Sequence, residues 1–122
     1  MAILYFTDLD VRQKSMDLSV EIFKTVKFLP KEELYGLSDQ MRRAVISIPS
    51  NIAEGHQRGS TKDYIRFLYI SKGSLGELIT QIMLCERLGF INTEKKEFLV
   101  SKCFEIGRML SKMINGLNNR LG

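Results

Sequence analysis

The sequence predicts an all-α protein, folded as an up-down-up-down antiparallel four-helix bundle. Apolar residues recur every three or four positions along four segments, which is the pattern of amphipathic helices. Leu, Ile, Lys, Glu and Met are plentiful while Val and Thr are sparse, and this composition favours helix over sheet. Pro30, Gly36, Gly59 and Gly89 fall between the segments, so the links are short. The 122 residues are expected to form one domain with its own core.

The first helix is predicted over residues 11–29. Asp8 or Asp10 is its expected N-cap. Pro30 ends it, because the residue before a proline avoids the helical conformation. The apolar residues at helical spacing are Met16, Val20, Phe23 and Val26, with Leu18, Ile22 and Leu29 beside them.

The second helix is predicted over residues 38–57, with Ser38 as its N-cap. Pro49 lies inside it and has no N–H to donate to the carbonyl of Val45. A kink is therefore expected there, with the Ser47 hydroxyl available to a freed carbonyl. The core stripe has the three-four spacing of an amphipathic helix and consists of Leu37, Met41, Val45, Ile48 and Ile52.

The third helix is predicted over residues 60–88 and the fourth over 93–117. Ser60 caps the third helix, and Gly89 is its expected left-handed C-cap. Asn92 or Thr93 starts the fourth. The core stripe of the third helix consists of Tyr64, Leu68, Ser71, Leu75, Leu78, Ile82 and Cys85. The core stripe of the fourth helix consists of Leu99, Cys103, Ile106, Leu110, Met113 and Leu117.

Helices two and three carry more apolar surface than one small bundle can bury. Self-association through these faces is predicted, and the alternative is a thicker core inside a monomer. Gly73 and Gly76, inside the third helix, leave room for a second backbone to approach. The predicted oligomer interface consists of Ile46, Ala53, Ile65, Tyr69, Gly76, Ile79 and Met83.

The charge and the composition of the chain limit the classes of function that it can have. The formal net charge is +4, and the excess lies after residue 59. This balance is compatible with nucleic acid or an acidic partner, and equally with a solvated cationic face. Cys85 and Cys103 fall at apolar helical positions and are expected in the core. A single His without a CxxC pair, and no nucleophile spaced from a base, predict no metal, no cofactor and no enzymatic activity.

A membrane or secreted location is not expected. The apolar run over residues 2–6 has no basic region before it, unlike a signal peptide. No stretch approaches the length that spans a bilayer. A cytoplasmic protein without a membrane partner is therefore predicted.

Basic residues follow one another from the second helix into the third. The nucleic-acid-binding candidates are Arg42, Arg43, Arg58, Lys62 and Arg66. Guanidinium groups match phosphate geometry, and basic surfaces follow nucleic-acid backbones. For Arg42 and Arg43 the alternative is an ion pair, for instance with Asp39 or Glu54. Tyr64 and Tyr69 are candidate stacking partners, although Tyr64 also lies on the core stripe.

Three segments resemble one known family. The run from Leu37 to Gly55 reads L-S-D-Q-M-R-R-A-V-I-S-I-P-S-N-I-A-E-G. It resembles the signature of the four-helix-bundle proteins encoded in intervening sequences of bacterial 23S ribosomal RNA genes. Pro30–Leu37 is similar to that family's F-P-x-E-E-x-Y-G-L approach, and Phe67–Gln81 to its F-L-x-I-A-x-G-S-x-x-E-L-x-T-Q segment. The resemblance covers roughly Leu9 to Leu117.

Two departures from the family pattern are visible. Arg12 replaces the Trp of the family's early V-W-Q motif, and Ile79 replaces the second acid of its E-L-E-T-Q motif. The second change makes that face of the third helix more apolar and removes any acidic role at that position.

The resemblance implies a ring-shaped homopentamer of four-helix bundles. The family is also similar in architecture to the accessory proteins of diversity-generating retroelements, which act beside a reverse transcriptase and bind nucleic acid. Its own biochemical role is not established. Two hypotheses follow: a non-enzymatic oligomeric accessory protein that binds nucleic acid, RNA in preference to DNA, or an oligomeric scaffold that binds another protein without specific nucleic-acid binding.

Overall fold

The computed structural model describes residues 9–121, and this part of the chain contains four α-helices and no strand. The predicted all-α class is confirmed. A short 3-10 helix precedes the second helix, in the connection between the first two helices. The helices are α1 over Asp10–Val26, α2 over Leu37–Gln57, α3 over Thr61–Arg87 and α4 over Thr93–Leu121, and the 3-10 helix covers Lys31–Glu33.

The helix ends follow local hydrogen bonding. The Ser60 hydroxyl accepts from the backbone N–H of Asp63 at 3.1 Å, as predicted for a cap. Gly89 has a φ of +80°, as expected of a left-handed C-cap. The Asn92 side chain accepts from the Lys95 N–H at 2.7 Å, which caps α4.

Other predicted helix ends were wrong. Gly36, not Ser38, precedes α2, and Ser38 lies buried within the first turn. Leu9 precedes α1 without a side-chain cap, while Asp8 lies outside the described residues. The chain tightens into i→i+3 bonds after Val26, so α1 ends before Pro30 is reached. Helix α4 continues past Leu117, because no glycine or proline follows within the described chain.

Each helix packs against two neighbours, as in a four-helix bundle. Helix α1 contacts α2 and α4, and α3 contacts the same two helices. The predicted stripe of α2 is wholly buried. In α3 and α4 only Tyr64 and Met113 of the predicted stripes are partly exposed.

Helix α1 buries Val26 of the predicted stripe and the flanking Leu18 and Ile22, but not the other three stripe residues. Met16, Val20 and Phe23 are exposed by 41%, 52% and 38%. The buried face contains two hydroxyl residues, which bond within their own helix: Ser15 donates to the Val11 carbonyl and Thr25 to the Glu21 carbonyl. Because these hydroxyls are satisfied, they enter the core at little cost. The buried face consists of Val11, Ser15, Leu18, Ile22, Thr25 and Val26.

Pro49 does not interrupt α2. The Ser19 hydroxyl of α1 donates to the Ser15 carbonyl at 2.8 Å and lies 3.4 Å from the carbonyl of Val45, which Pro49 cannot serve. The predicted donor, Ser47, instead shares a hydrogen bond of 2.8 Å with Ser74 of α3. The proline therefore leaves an acceptor that lies beside a hydroxyl of the neighbouring helix.

Candidate nucleic-acid interface

Two arginines meet one aromatic ring at the turn between α2 and α3. The guanidinium carbon of Arg58 lies 5.0 Å from the centre of the Phe67 ring, and that of Arg66 lies 4.7 Å from it. Lys62 stands four residues before Arg66 and so shares its face of α3. We call Arg58, Lys62, Arg66 and Phe67 the hinge cluster.

The cationic groups of the hinge cluster are open to solvent. Arg58 pairs with Glu54 at 2.9 Å and Arg66 with Asp63 at 3.7 Å, and all four side chains are about half exposed. Such surface pairs contribute only about 0–1 kcal/mol, so a phosphate can take the place of the carboxylate. Lys62 has no ion pair with any residue that the structure describes.

Phe67 holds the cluster together, and it was not among the predicted site residues. It is 8% exposed but lies apart from the main core. A Cβ atom at Gly55 would lie 2.7 Å from the Cβ of Phe67, so only glycine allows this approach of α2 and α3. Gly55 was the residue of the sequence that could have indicated this contact, but its approach to Phe67 is visible only in the structure.

Arg42 and Arg43 do not join the hinge cluster. Both lie on α2, which ends directly before Arg58, and the fifteen residues from Arg43 to Arg58 correspond to about 22 Å of helix. Arg42 donates to the Leu34 carbonyl at 3.3 Å, which ties the preceding connection to α2. Arg43 donates to Asp39 at 2.9 Å, the alternative foreseen for it, and this bond raises the pKa of Arg43. The predicted basic run is therefore divided between two ends of α2.

The two candidate stacking tyrosines differ in access. Tyr64 is partly buried, its pKa is raised by burial, and its ring meets His56 edge to face at 5.6 Å. The Nδ1 atom of His56 is buried without a hydrogen-bond partner among the described residues. Tyr69 is 54% exposed, and the Lys72 ammonium lies 5.9 Å from its ring centre. Only Tyr69 presents an open ring.

The predicted oligomer interface is only partly at the surface. Ile46, Tyr69, Gly76 and Met83 are exposed, while Ala53 and Ile79 are half-buried. Ile65 is 8% exposed and packs in the chain's own core, so little of its side chain is open to an interface. The exposed apolar face of α1 (Met16, Val20 and Phe23) adds surface that was assigned to the core.

The remaining chemistry of the described chain is sparse. Between residues 9 and 121, no three His, Cys, Asp or Glu side chains are grouped to hold a metal ion. Cys85 and Cys103 are free and buried, as predicted, and burial raises the pKa of Cys85 to about 11 and that of Cys103 to about 12. None of the described helices is long and apolar enough to cross a membrane.

Comparison with known proteins places this geometry in context. The sequence model of the 23S rRNA-intervening sequence protein family matches residues 7–112. A crystal structure of a protein of unknown function, from the S23 ribosomal protein family of Bacteroides thetaiotaomicron, is 30% identical with a TM-score of 0.80. The match covers 85% of this chain and 97% of that one. None of the curated proteins matches this chain.

Proposed function

The chain belongs to the 23S rRNA-intervening sequence protein family, and on that premise we propose that it is a non-enzymatic, oligomeric accessory protein that binds RNA through its hinge cluster. The observation that carries the proposal is the gathering of Arg58, Lys62 and Arg66 at one exposed turn, two of them on a shared ring. A cationic surface of this kind suits the phosphates of a nucleic-acid backbone.

The hinge cluster is suited to backbone contacts rather than to reading bases. Its one ring, Phe67, is covered by the two guanidinium groups and is 8% exposed, so no base can stack on it. Guanidinium forks bind phosphate oxygens whatever the adjoining base. The ligand that fits this chemistry is folded RNA, recognised by the arrangement of its phosphates.

We further propose that the protein acts as a ring of five up-down-up-down bundles in the cytoplasm. The ring size rests on the family resemblance, and the cytoplasmic location stays a prediction of the sequence. The exposed apolar side chains of α1, with Ile46 of α2 and Met83 of α3, supply surface that association would cover. A ring needs two different faces on each subunit, and apolar side chains on several helices are compatible with that requirement.

The test is binding of a labelled RNA hairpin, followed by fluorescence anisotropy at low and near-physiological salt. Replacing Arg58→Gln and Lys62→Gln together should weaken binding at least tenfold and lower the salt slope by roughly two. The matched control, Lys24→Gln with Lys27→Gln, removes two charges from exposed positions at the end of α1. It should bind within twofold of the parent protein. If both variants lost the same affinity for the hairpin, net charge alone would explain the attraction, and the proposal would be contradicted.

A second candidate function is a protein-binding scaffold. It is favoured by the exposed apolar side chains Met16, Val20 and Phe23, which form one face of α1. Such a face is typical of interaction surfaces. If neither the hairpin nor a single-stranded RNA shows affinity at near-physiological salt, the scaffold function replaces RNA binding.

A further inference from the structure

A shallow groove between α3 and α4 is lined by three cations. It has a volume of ≈ 580 Å³, which is far more than a single ion would fill. Its lining includes Lys72 from α3 and Arg108 and Lys112 from α4, and none of the described residues that line it is acidic. None of these three cations forms an ion pair with a described residue, unlike Arg43, Arg58 and Arg66.

The nearest acidic side chain of α4 is already occupied. Glu105 pairs with Lys14 of α1 at 2.7 Å, and this partner lowers the pKa of Glu105. The pair lines a separate depression between α1 and α4. Arg108 also acts on Glu105 through its charge, but neither it nor the other two cations of the α3–α4 groove forms an ion pair with a described residue. An anion that enters the groove therefore breaks no ion pair.

An exposed ring lies in the same groove. Phe104 lines it and is 54% exposed, so its ring is accessible from solvent. Tyr69, equally exposed, lies beside Lys72 on α3. Cations that follow a groove with open rings are the pattern that binds unpaired nucleotides, whose bases stack on aromatic side chains.

The α4 residues that line the groove follow the axis of that helix. Phe104, Arg108, Ser111 and Asn115 recur along one face of α4 and span about 16 Å of helix. At about 3.4 Å per stacked nucleotide this length accommodates roughly five. Gly107 forms part of the groove, and a Cβ there would already lie 3.3 Å from the Leu75 side chain. The two helices are therefore close at the floor, and the groove is open above it.

We infer that the α3–α4 groove binds single-stranded nucleic acid, with phosphates on Lys72, Arg108 and Lys112 and a base stacked on Phe104. The inference rests on the proposed function for the class of ligand, and it assigns a second site with a different requirement. The hinge cluster offers charge without an open ring, whereas the groove offers both. A duplex keeps its bases stacked inside and can use only the charges.

The experiment measures binding of a labelled short oligouridine, which is single-stranded, and of the same RNA hairpin used for the hinge cluster. Replacing Arg108→Gln and Lys112→Gln should weaken oligouridine binding at least tenfold and lower its salt slope by about 1.4. Phe104→Leu, which removes the ring and keeps an apolar side chain, should weaken oligouridine binding roughly tenfold and leave the hairpin unchanged. The matched pair Arg58→Gln and Lys62→Gln should leave oligouridine binding within twofold.

Several outcomes would contradict the binding of single-stranded nucleic acid in the groove. If the parent protein and Phe104→Leu bind oligouridine equally, no base stacks on Phe104. If the groove pair and the hinge pair of substitutions weaken oligouridine binding equally, the attraction comes from net charge and not from the groove. A change in sedimentation mass of the Arg108→Gln, Lys112→Gln protein would show that this face lies between copies of the chain. A parent protein that binds the hairpin through the hinge cluster but not oligouridine would refute the groove and keep the proposed function. The reverse pattern would refute the hinge cluster and keep the groove.

Discussion

The two sides of α3 differ in what their polar and small residues do. Toward α2, Ser71 donates to the Ile48 carbonyl at 2.9 Å and Ser74 bonds Ser47, so each hydroxyl has a partner in the neighbouring helix. Toward α4, Lys72 faces a groove whose charges have no ion-pair partners among the described residues. The polar side chains on the α2 side of α3 thus have partners within the chain, whereas the cations on its α4 side have no ion-pair partner among the described residues.

This difference separates structure from binding within a single element. Buried polar groups are almost always hydrogen-bonded, so the α2 side is settled by folding alone. Exposed cations and an exposed ring contribute little to folding, so their arrangement is free to serve a ligand. Substitutions on the two sides should therefore change different properties: the free energy of unfolding on one side and affinity on the other.

The largest expected effect is that of Gly55→Ala at the α2–α3 contact. The added Cβ would lie 2.7 Å from the Cβ of Phe67 and 3.3 Å from the Tyr64 carbonyl oxygen, so backbone must move. Overpacking of this kind costs about 1–3 kcal/mol, and urea denaturation should show the loss. Because Phe67 belongs to the hinge cluster, hairpin binding should fall as well.

Gly73→Ala is the matched control within α3. A Cβ at Gly73 has no atom of the described chain within 4 Å, and the position lies inside a regular helix. Alanine should therefore raise the free energy of unfolding by about 0.5–1 kcal/mol. If Gly55→Ala and Gly73→Ala had equal effects, the α2–α3 contact would be less tight than its geometry implies.

A smaller difference is expected between two serines. Ser71→Ala removes a fully buried hydroxyl that donates to Ile48, which should cost about 1 kcal/mol. Ser111→Ala changes a partly exposed residue of the α3–α4 groove and should stay within about 0.5 kcal/mol of the parent protein. Thermal and urea unfolding of both variants measure the difference. A loss at Ser111 as large as that at Ser71 would show that the groove is part of the structural core.

The sequence predicted the four helices well because their signals are local. Apolar spacing, the Ser60 cap and Gly89 depend on neighbours within a few residues, and the structure contains all of them. Helix α1 was misjudged because Ser15 and Thr25 are polar, and their bonds to carbonyls one turn earlier are what allow their burial. Periodicity alone offered two apolar faces for this helix and could not choose between them.

The candidate sites depended on contacts between distant residues. The separation of Arg43 from Arg58 follows from helix length, but the ring that joins Arg58 to Arg66 required the approach of α2 at Gly55. The sequence did show that no acid follows Glu105. It could not show that Lys72, more than thirty residues earlier, lies beside that acid-free part of α4.

The last prediction concerns two buried thiols, Cys85 of α3 and Cys103 of α4, whose ionisation should respond to pH in the same way. Burial raises the pKa of Cys85 to about 11 and that of Cys103 to about 12, from an ordinary value of 9.0. A raised pKa in the folded state contributes stability that is complete below pH 9. That contribution is lost as the pH rises toward the folded values, because only the unfolded thiols ionise readily.

The free energy of unfolding should therefore decline above pH 9 more steeply in the parent protein than in the Cys85→Ala, Cys103→Ala variant, which isolates the thiols from Lys and Tyr. A thiol reagent at pH 8 should label neither cysteine quickly in the native protein and both at once in urea, because both native thiols are buried and uncharged. Rapid native labelling of Cys103 alone would mean that α4 separates readily from the bundle. The open character of the α3–α4 side would then extend from the surface groove into the core.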